Sequence, residues 1–143
     1  MTRRFLQMAG VAVAIGIGLI LVLRSSSVPP AEQSVQFTRV GQNGPVHTVS
    51  VPRARAGDDE YLMRVADQLS AESAKLGGSG QISVMVWPDD VAVPKEPPTT
   101  EFDATMKTQI AGIFINPGRN IKHLIRFRDG ATISERDFGV QIH

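Results

Sequence analysis

The longest apolar run of the chain covers residues 5–23, nineteen consecutive positions without a charged side chain. As a helix rising 1.5 Å per residue it would reach roughly 28 Å, close to the ~30 Å hydrocarbon thickness of a bilayer. A helix in the core of a small globular domain would carry a polar stripe, whereas here only Gln7 is strongly polar. The pattern therefore predicts a membrane-spanning anchor helix.

Basic residues on both sides of this run bear on its orientation. Arg3 and Arg4 precede it and Arg24 follows it, so the positive-inside rule predicts a cytoplasmic N-terminus, residues 1–4. The expected location is the cell (inner) membrane, with a single pass and a periplasmic C-terminal domain. Two alternatives use the same residues: a cleaved signal peptide, for which the apolar run is long, and a twin-arginine export signal.

Small residues recur every four positions within the apolar run. Gly10, Ala14 and Gly18 would share one face of a helix, where they let a second helix approach closely. This spacing predicts a helix-docking seam, and a homodimer through the membrane helix is one assembly that would use it. The alternative is that glycine and alanine are simply frequent in membrane helices.

Beyond this run the chain divides into a Ser/Pro-rich linker, residues 24–34, and one domain, residues 35–143. About 110 residues are enough for a single modest core and too few for two. The formal net charge of +1 does not favour nucleic acid as a partner. Cysteine is absent, which excludes disulfides, thiolate catalysis and cysteine-ligated metal sites.

Alternating and β-branched segments predict the strands of this domain. Asn-Gly and Asp-Gly tolerate the positive φ angles of tight turns, so each dipeptide between two such segments predicts a hairpin. One segment is apolar on both faces and is expected to be central in its sheet. The predicted strands are residues 35–40, 46–51, 82–87, 121–128, 131–134 and 140–142.

Two segments have the three- and four-residue apolar spacing of a helix. The first begins at Asp58, has acidic residues in its first turn and ends before Gly77. The second begins at Thr100, where Asp103 completes a capping-box-like pattern, and ends before Pro117. The predicted fold class is α+β, with an N-terminal single transmembrane helix and one small domain. In this domain both helices pack on one face of a mostly antiparallel sheet.

Histidines are few and scattered, which bears on metal binding and general-base catalysis. His47, His123 and His143 lack the short spacing that aims two imidazoles at one metal ion. We therefore expect no catalytic residue, no metal and no cofactor.

A possible ligand loop follows the predicted central strand. Trp87, Asp89 and Asp90 lie at its carboxyl end, the edge where open sheets often place ligand groups. The alternative is that Pro-Asp-Asp is ordinary turn chemistry.

A basic interaction patch is predicted near the C-terminal hairpin, at Arg119, Lys122, Arg126 and Arg128. Strand alternation would place the last three on one face and turn Ile125 and its apolar neighbours toward the core. Such a face could meet anionic lipid head groups or an acidic partner surface. It could equally be a solvated face whose cations discourage edge pairing.

Together these patterns favour a non-enzymatic, membrane-anchored protein whose periplasmic domain is an accessory or assembly subunit of a larger membrane complex. Energy-transducing, secretion and transport assemblies all fit. The expected partners are the lipid bilayer and other integral or periplasmic proteins, with no role for nucleic acid. One alternative is a tethered small-ligand binder or sensor using the loop after Trp87. A third hypothesis is a hydrolase using Asp89, Asp90 or His123.

Overall fold

The computed structural model describes residues 34–100 and 103–139, which belong to one compact unit, Ser34–His143. This part of the chain contains one α-helix, α1, Asp59–Lys75, and short 3-10 helices at Arg53–Arg55, Ala104–Lys107 and Pro117–Arg119. Its strands are β1, Thr38–Asn43; β2, Val46–Val51; β3, Ile82–Pro88; β4, Ala111–Asn116; β5, Ile121–Arg128; and β6, Ala131–Asp137.

The strands form a single mixed sheet in chain order, from β1 at one edge to β6 at the other. Strands β2 and β3 are parallel, and the other four neighbouring pairs are antiparallel. Parallel neighbours need a long crossover connection, which α1 supplies between β2 and β3. The carboxyl ends of the two parallel strands therefore lie at the same end of the sheet.

Helix α1 follows the signals that predicted it. The Asp58 carboxylate accepts a hydrogen bond from the Tyr61 backbone N–H at 3.0 Å and caps the first turn. Acidic residues at the start and Lys75 at the end complement the helix dipole. After the helix Gly77 adopts φ +88°, a left-handed conformation that ends helices and that glycine adopts without strain.

The hydrophobic core lies between α1 and one face of the sheet, here called the helix face. Alternate residues of the four central strands β2 to β5 point to this face and meet the apolar stripe of the helix. The buried sheet residues of the core are Val49, Val51, Ile82, Val84, Val86, Ala111, Ile113, Ile115 and Leu124. The buried helix residues are Tyr61, Leu62, Met63, Val65, Ala66 and Leu69.

Part of the opposite face is covered by the connection from β3 to β4. The Thr48 hydroxyl donates to the Pro94 carbonyl at 2.8 Å, and the indole Nε1 of Trp87 donates to the Thr105 carbonyl at 2.8 Å. Thr48 and Trp87 are both fully buried as a result. A Cβ atom on Gly41 would collide with the Lys95 carbonyl, so glycine is required where this connection crosses the sheet.

The predicted second helix is wrong. Asp103 does cap a helical turn by accepting from the Thr105 backbone N–H at 2.9 Å, but this 3-10 helix ends at Lys107. The following residues form β4, in which Ile113 is buried and Phe114 is partly exposed, the period of a strand. Pairing with β3 and β5 outweighs the local helical spacing. The domain described here is therefore one helix on a six-stranded mixed sheet, and the predicted arrangement of two helices is corrected.

Several predictions fall on residues outside the described part of the chain. These are the anchor segment 5–23 with its seam Gly10, Ala14 and Gly18, the terminus 1–4, most of the linker, and the edge strand 140–142. Within residues 34–100 and 103–139, no helix combines the length and the apolar character needed to cross a bilayer.

Candidate functional site

The carboxyl ends of the parallel strands bring Arg53 and the carboxylates of Asp89 and Asp90 together. Arg53 follows β2, and its backbone N–H donates to Asp89 Oδ1 at 3.1 Å. Its guanidinium binds Asp90 through Nε, at 2.9 and 3.1 Å, and through Nη2 at 2.6 Å. Hydrogen bonding to Asp90 raises the pKa of Arg53, and the same bond lowers the pKa of Asp90. This ion pair therefore ties the residues after β2 to those after β3.

At the same end of the sheet, Arg126 of β5 reaches the beginning of α1. Its Nε and Nη2 atoms donate to Asp59 Oδ1 at 2.8 and 2.6 Å, and Nη1 donates to the Ala56 carbonyl. The Arg126 side chain is only 13 % exposed. Arg136 of β6 adds a longer contact with Asp59 Oδ2, 3.6 Å from its Nη1 atom. Arg126 is therefore held rigidly, and most of its hydrogen-bonding capacity is used within the domain.

A cleft of about 450 Å³, here called the arginine cleft, opens between these elements. Its charged lining consists of Arg53, Arg126, Arg128 and Asp59. With Asp90, which binds Arg53, three guanidinium groups stand against two carboxylates, so the cleft has an excess of one positive charge. Arg53 and Arg126 are engaged as described, so they contribute charge and shape more than open hydrogen-bonding sites.

Arg128 differs from the other two arginines of the cleft. It is the exposed last residue of β5, and within residues 34–100 and 103–139 it makes no ion pair or side-chain hydrogen bond. An arginine carries five N–H donors in a planar fork that matches a carboxylate or phosphate. Arg128 is therefore the group of this cleft that can receive an anion from outside.

Apolar residues contribute part of the remaining lining, chiefly Ile110 and Ile133. Phe127 also borders the cleft, but its ring lies beside Gly112 on the opposite face of the sheet. Ile133 is 52 % exposed. The pairing of β5 with β6 shifts at this point, because Arg126 is opposite Ser134 while Phe127 is opposite Thr132. Ile133 is the extra residue of the resulting β-bulge, and bulges commonly redirect side chains beside functional sites.

The predicted basic patch is divided by the fold. Lys122 forms an ion pair with Asp67 of α1 at 2.7 Å, and Arg126 binds Asp59, so both lie on the helix face. The core residue of β5 is Leu124, whereas Ile125 and its apolar neighbours on β5 point to the opposite face, the reverse of the predicted orientation. Arg119 precedes the other end of β5, a strand about 23 Å long from Ile121 to Arg128 at 3.3 Å per residue. Only Arg126 and Arg128 of the patch line the cleft.

The predicted ligand loop has structural contacts at each of its three residues. Trp87 is fully buried and its indole N–H is bound by Thr105. Asp89 and Asp90 bind Arg53. Asp89 also lines a separate depression beside β1, together with Ser34 and Pro52.

The residues of the hydrolase hypothesis lie at opposite ends of the sheet. His123 is opposite Phe114, which in turn is opposite Ser83, six residues before Asp89. Six residues of strand correspond to roughly 20 Å. His123 Nε2 instead lies 3.3 Å from Glu135 Oε2. His47 is buried on β2, where burial and the nearby charge of Arg39 lower its pKa. The structure brings neither histidine to the arginine cleft.

Several residues of the cleft were not predicted from the sequence. Arg53 and Gly57 lie in a connection, Ile110 was assigned to a helix, and Ile133 was placed in a regular hairpin. The one available signal was Arg53 directly after a strand-ending proline. It becomes informative only once β2 and β3 are known to be parallel, because that pairing brings Arg53 to the end of β3.

Comparison with known proteins adds no relative to this description: no protein-family model, no curated protein and no solved structure matches the chain.

Proposed function

We propose that this chain is a non-enzymatic accessory subunit, held at a membrane by its apolar N-terminal segment, whose domain binds a neighbouring protein of a larger complex. The observation that carries the proposal is the arginine cleft, in which the uncommitted Arg128 stands beside exposed apolar surface. Arginine next to apolar and aromatic side chains is the composition enriched at protein interfaces. The apolar run 5–23 supports the membrane location from the sequence.

The rigidity of the cleft also favours a binding role. Arg126 fixes β5 to the first turn of α1 through Asp59 and to the connection before it through the Ala56 carbonyl. A preformed surface loses little conformational entropy when a partner binds. The alternative, a small-ligand sensor using the loop after Trp87, has weaker support because that indole is buried and hydrogen-bonded.

The proposal is tested by native sizing of the full chain extracted from its own membranes in mild detergent. We expect a species much larger than a micelle containing the 15.5 kDa chain, and crosslinking before extraction should join the chain to a second protein. A matched extraction at high salt should shift part of the chain to smaller species, because charge-dependent contacts are screened. A chain that elutes alone without crosslinking and also fails to crosslink in the membrane contradicts the proposal.

A further inference from the structure

We infer that the arginine cleft binds an acidic peptide segment, with a partner carboxylate on Arg128 and the partner's neighbouring apolar side chain against Ile133. This inference rests on the proposed function and adds the chemistry of the partner. It commits to one occupant, an acidic segment of another protein, on the charge and shape of the cleft.

The positive charge of the cleft favours an anionic ligand. Arg53 and Arg126 are paired with Asp90 and Asp59, so the excess positive charge of the cleft is that of Arg128. Arg128, at the mouth, lacks a side-chain partner within the described ranges and can rotate its fork toward a ligand. A carboxylate bound there would form a bidentate, charge-assisted pair, the stronger class of hydrogen bond.

The apolar part of the cleft favours a ligand with an apolar side chain next to its anionic group. Ile133 is half-exposed on a bulge, and Ile110 is a second apolar residue of the lining. A bare inorganic anion would leave this surface exposed to water, whereas a leucine or phenylalanine beside the carboxylate would cover it. The volume of about 450 Å³ lies within the ~300–1,000 Å³ typical of binding pockets and suits one or two side chains.

A peptide fits these observations better than a lipid surface. Binding to anionic bilayers relies on clusters of cations on a flat or convex surface. Here Lys122 and Arg126 are paired with α1, and Arg119 is at the far end of β5. Of the predicted basic patch, Arg128 alone remains without an ion pair at the cleft, which is fewer cations than a lipid-binding cluster uses. Binding to anionic vesicles is therefore an outcome that would contradict the inference.

The test measures binding of fluorescein-labelled peptides to the full chain in mild detergent by fluorescence anisotropy. The probe is Gly-Ser-Glu-Leu-Glu-Phe-Ser-Gly, compared with one peptide that has Gln for both Glu and another that has Ser for Leu and Phe. We expect saturable binding of the probe and weaker binding of both comparison peptides. R128Q should weaken probe binding about tenfold, the effect of losing a hydrogen bond between charged groups.

Two further variants separate the cleft from general charge and from misfolding. R119Q removes the same charge at the opposite end of β5 and should leave binding unchanged. A Cβ atom on Gly57 meets no atom within 4 Å, so G57L fills the cleft without removing a charge and should also abolish probe binding. Circular dichroism verifies that each variant is folded.

Equal binding of the glutamate and glutamine peptides would overturn the inference, as would equal effects of R128Q and R119Q. It is also overturned if the chain binds vesicles containing phosphatidylserine through Arg128 and does not bind the probe. If the chain co-elutes with a partner protein but shows any of these results, the proposed function stands and the inference of an acidic segment is rejected. If native sizing shows no larger species but the probe binds at the cleft, the proposed function is rejected and the binding of an acidic segment at the cleft stands.

Discussion

Arg126 of β5 and Asp59 of α1 join the sheet to the helix through hydrogen bonds of 2.8 and 2.6 Å. This contact belongs to a row of ion pairs in which four cations of the sheet meet acids of α1 in the described part of the chain. The pairs are Arg39–Glu72, Lys122–Asp67, Arg126–Asp59, Arg136–Asp59 and Arg136–Glu60. Lys122 and Arg126, which the sequence suggested for an external partner, therefore hold the helix to the sheet instead. Of these two, only Arg126 also borders the cleft.

Replacing Arg126 with glutamine should destabilise the domain. The side chain is 13 % exposed, and its loss leaves Asp59 and the Ala56 carbonyl without their main donor. We expect a loss of about 1–3 kcal/mol in the free energy of unfolding, measured by urea denaturation. The matched change Lys122→Gln breaks a more exposed pair with Asp67 and should cost less. An equal effect of the two changes would contradict the ranking.

Trp87 should report the folded state and should not respond to added metabolites. It is the sole tryptophan and is fully buried, so its emission should be blue-shifted and protected from acrylamide until the domain unfolds. Trp87→Phe should cost roughly 1–3 kcal/mol, because it removes buried volume and the indole hydrogen bond to the Thr105 carbonyl. Stability would be followed by circular dichroism. Efficient acrylamide quenching of the native protein would contradict this burial.

Two glycines offer a matched pair for testing how the β3–β4 connection packs. An alanine at Gly41 would collide with the Lys95 carbonyl, whereas at Gly57 it would meet nothing within 4 Å. We expect Gly41→Ala to cost about 1–3 kcal/mol and to expose residues 89–100 to limited proteolysis. Gly57→Ala should change stability by less than about 0.5 kcal/mol. Equal protease resistance of the two variants would show that the connection does not need this close approach.

His47 should make the domain less stable as the pH falls. Burial, with a smaller contribution from Arg39, lowers its pKa in the folded state below the ordinary value of 6.5, and Glu72 opposes this shift. The unfolded chain then binds the proton more readily, so stability is complete above about pH 7 and declines as the pH drops through roughly 6.5 toward 5.

Urea midpoints at several pH values test this dependence. The slope between roughly pH 5.5 and 7.5 should flatten in His47→Gln. A slope that persists unchanged in His47→Gln would assign the pH dependence to other groups.

Local chemistry was sufficient to predict α1, both hairpins and β3. Asp58 and Gly77 mark the ends of the helix through interactions within a few residues of each other. Gly44 and the pair Asp129 and Gly130 adopt the positive φ angles that tight turns need. Residues 111–116 could not be assigned in this way, because their apolar spacing suits a helix or a strand until β3 and β5 are placed on either side.

For the candidate site, the sequence by itself identified Arg126 and Arg128 as cations on a strand, since that required only their spacing along β5. The tertiary structure alone decided which of them remains available. Arg126 is taken by Asp59, 67 residues earlier in the chain, while Arg128 is the exposed last residue of β5. The parallel pairing of β2 and β3, also a long-range property, brings Arg53 to the same end of the sheet. Turns and caps depend on neighbouring residues and can be read locally, whereas a cleft is built by segments that meet only when the chain has folded.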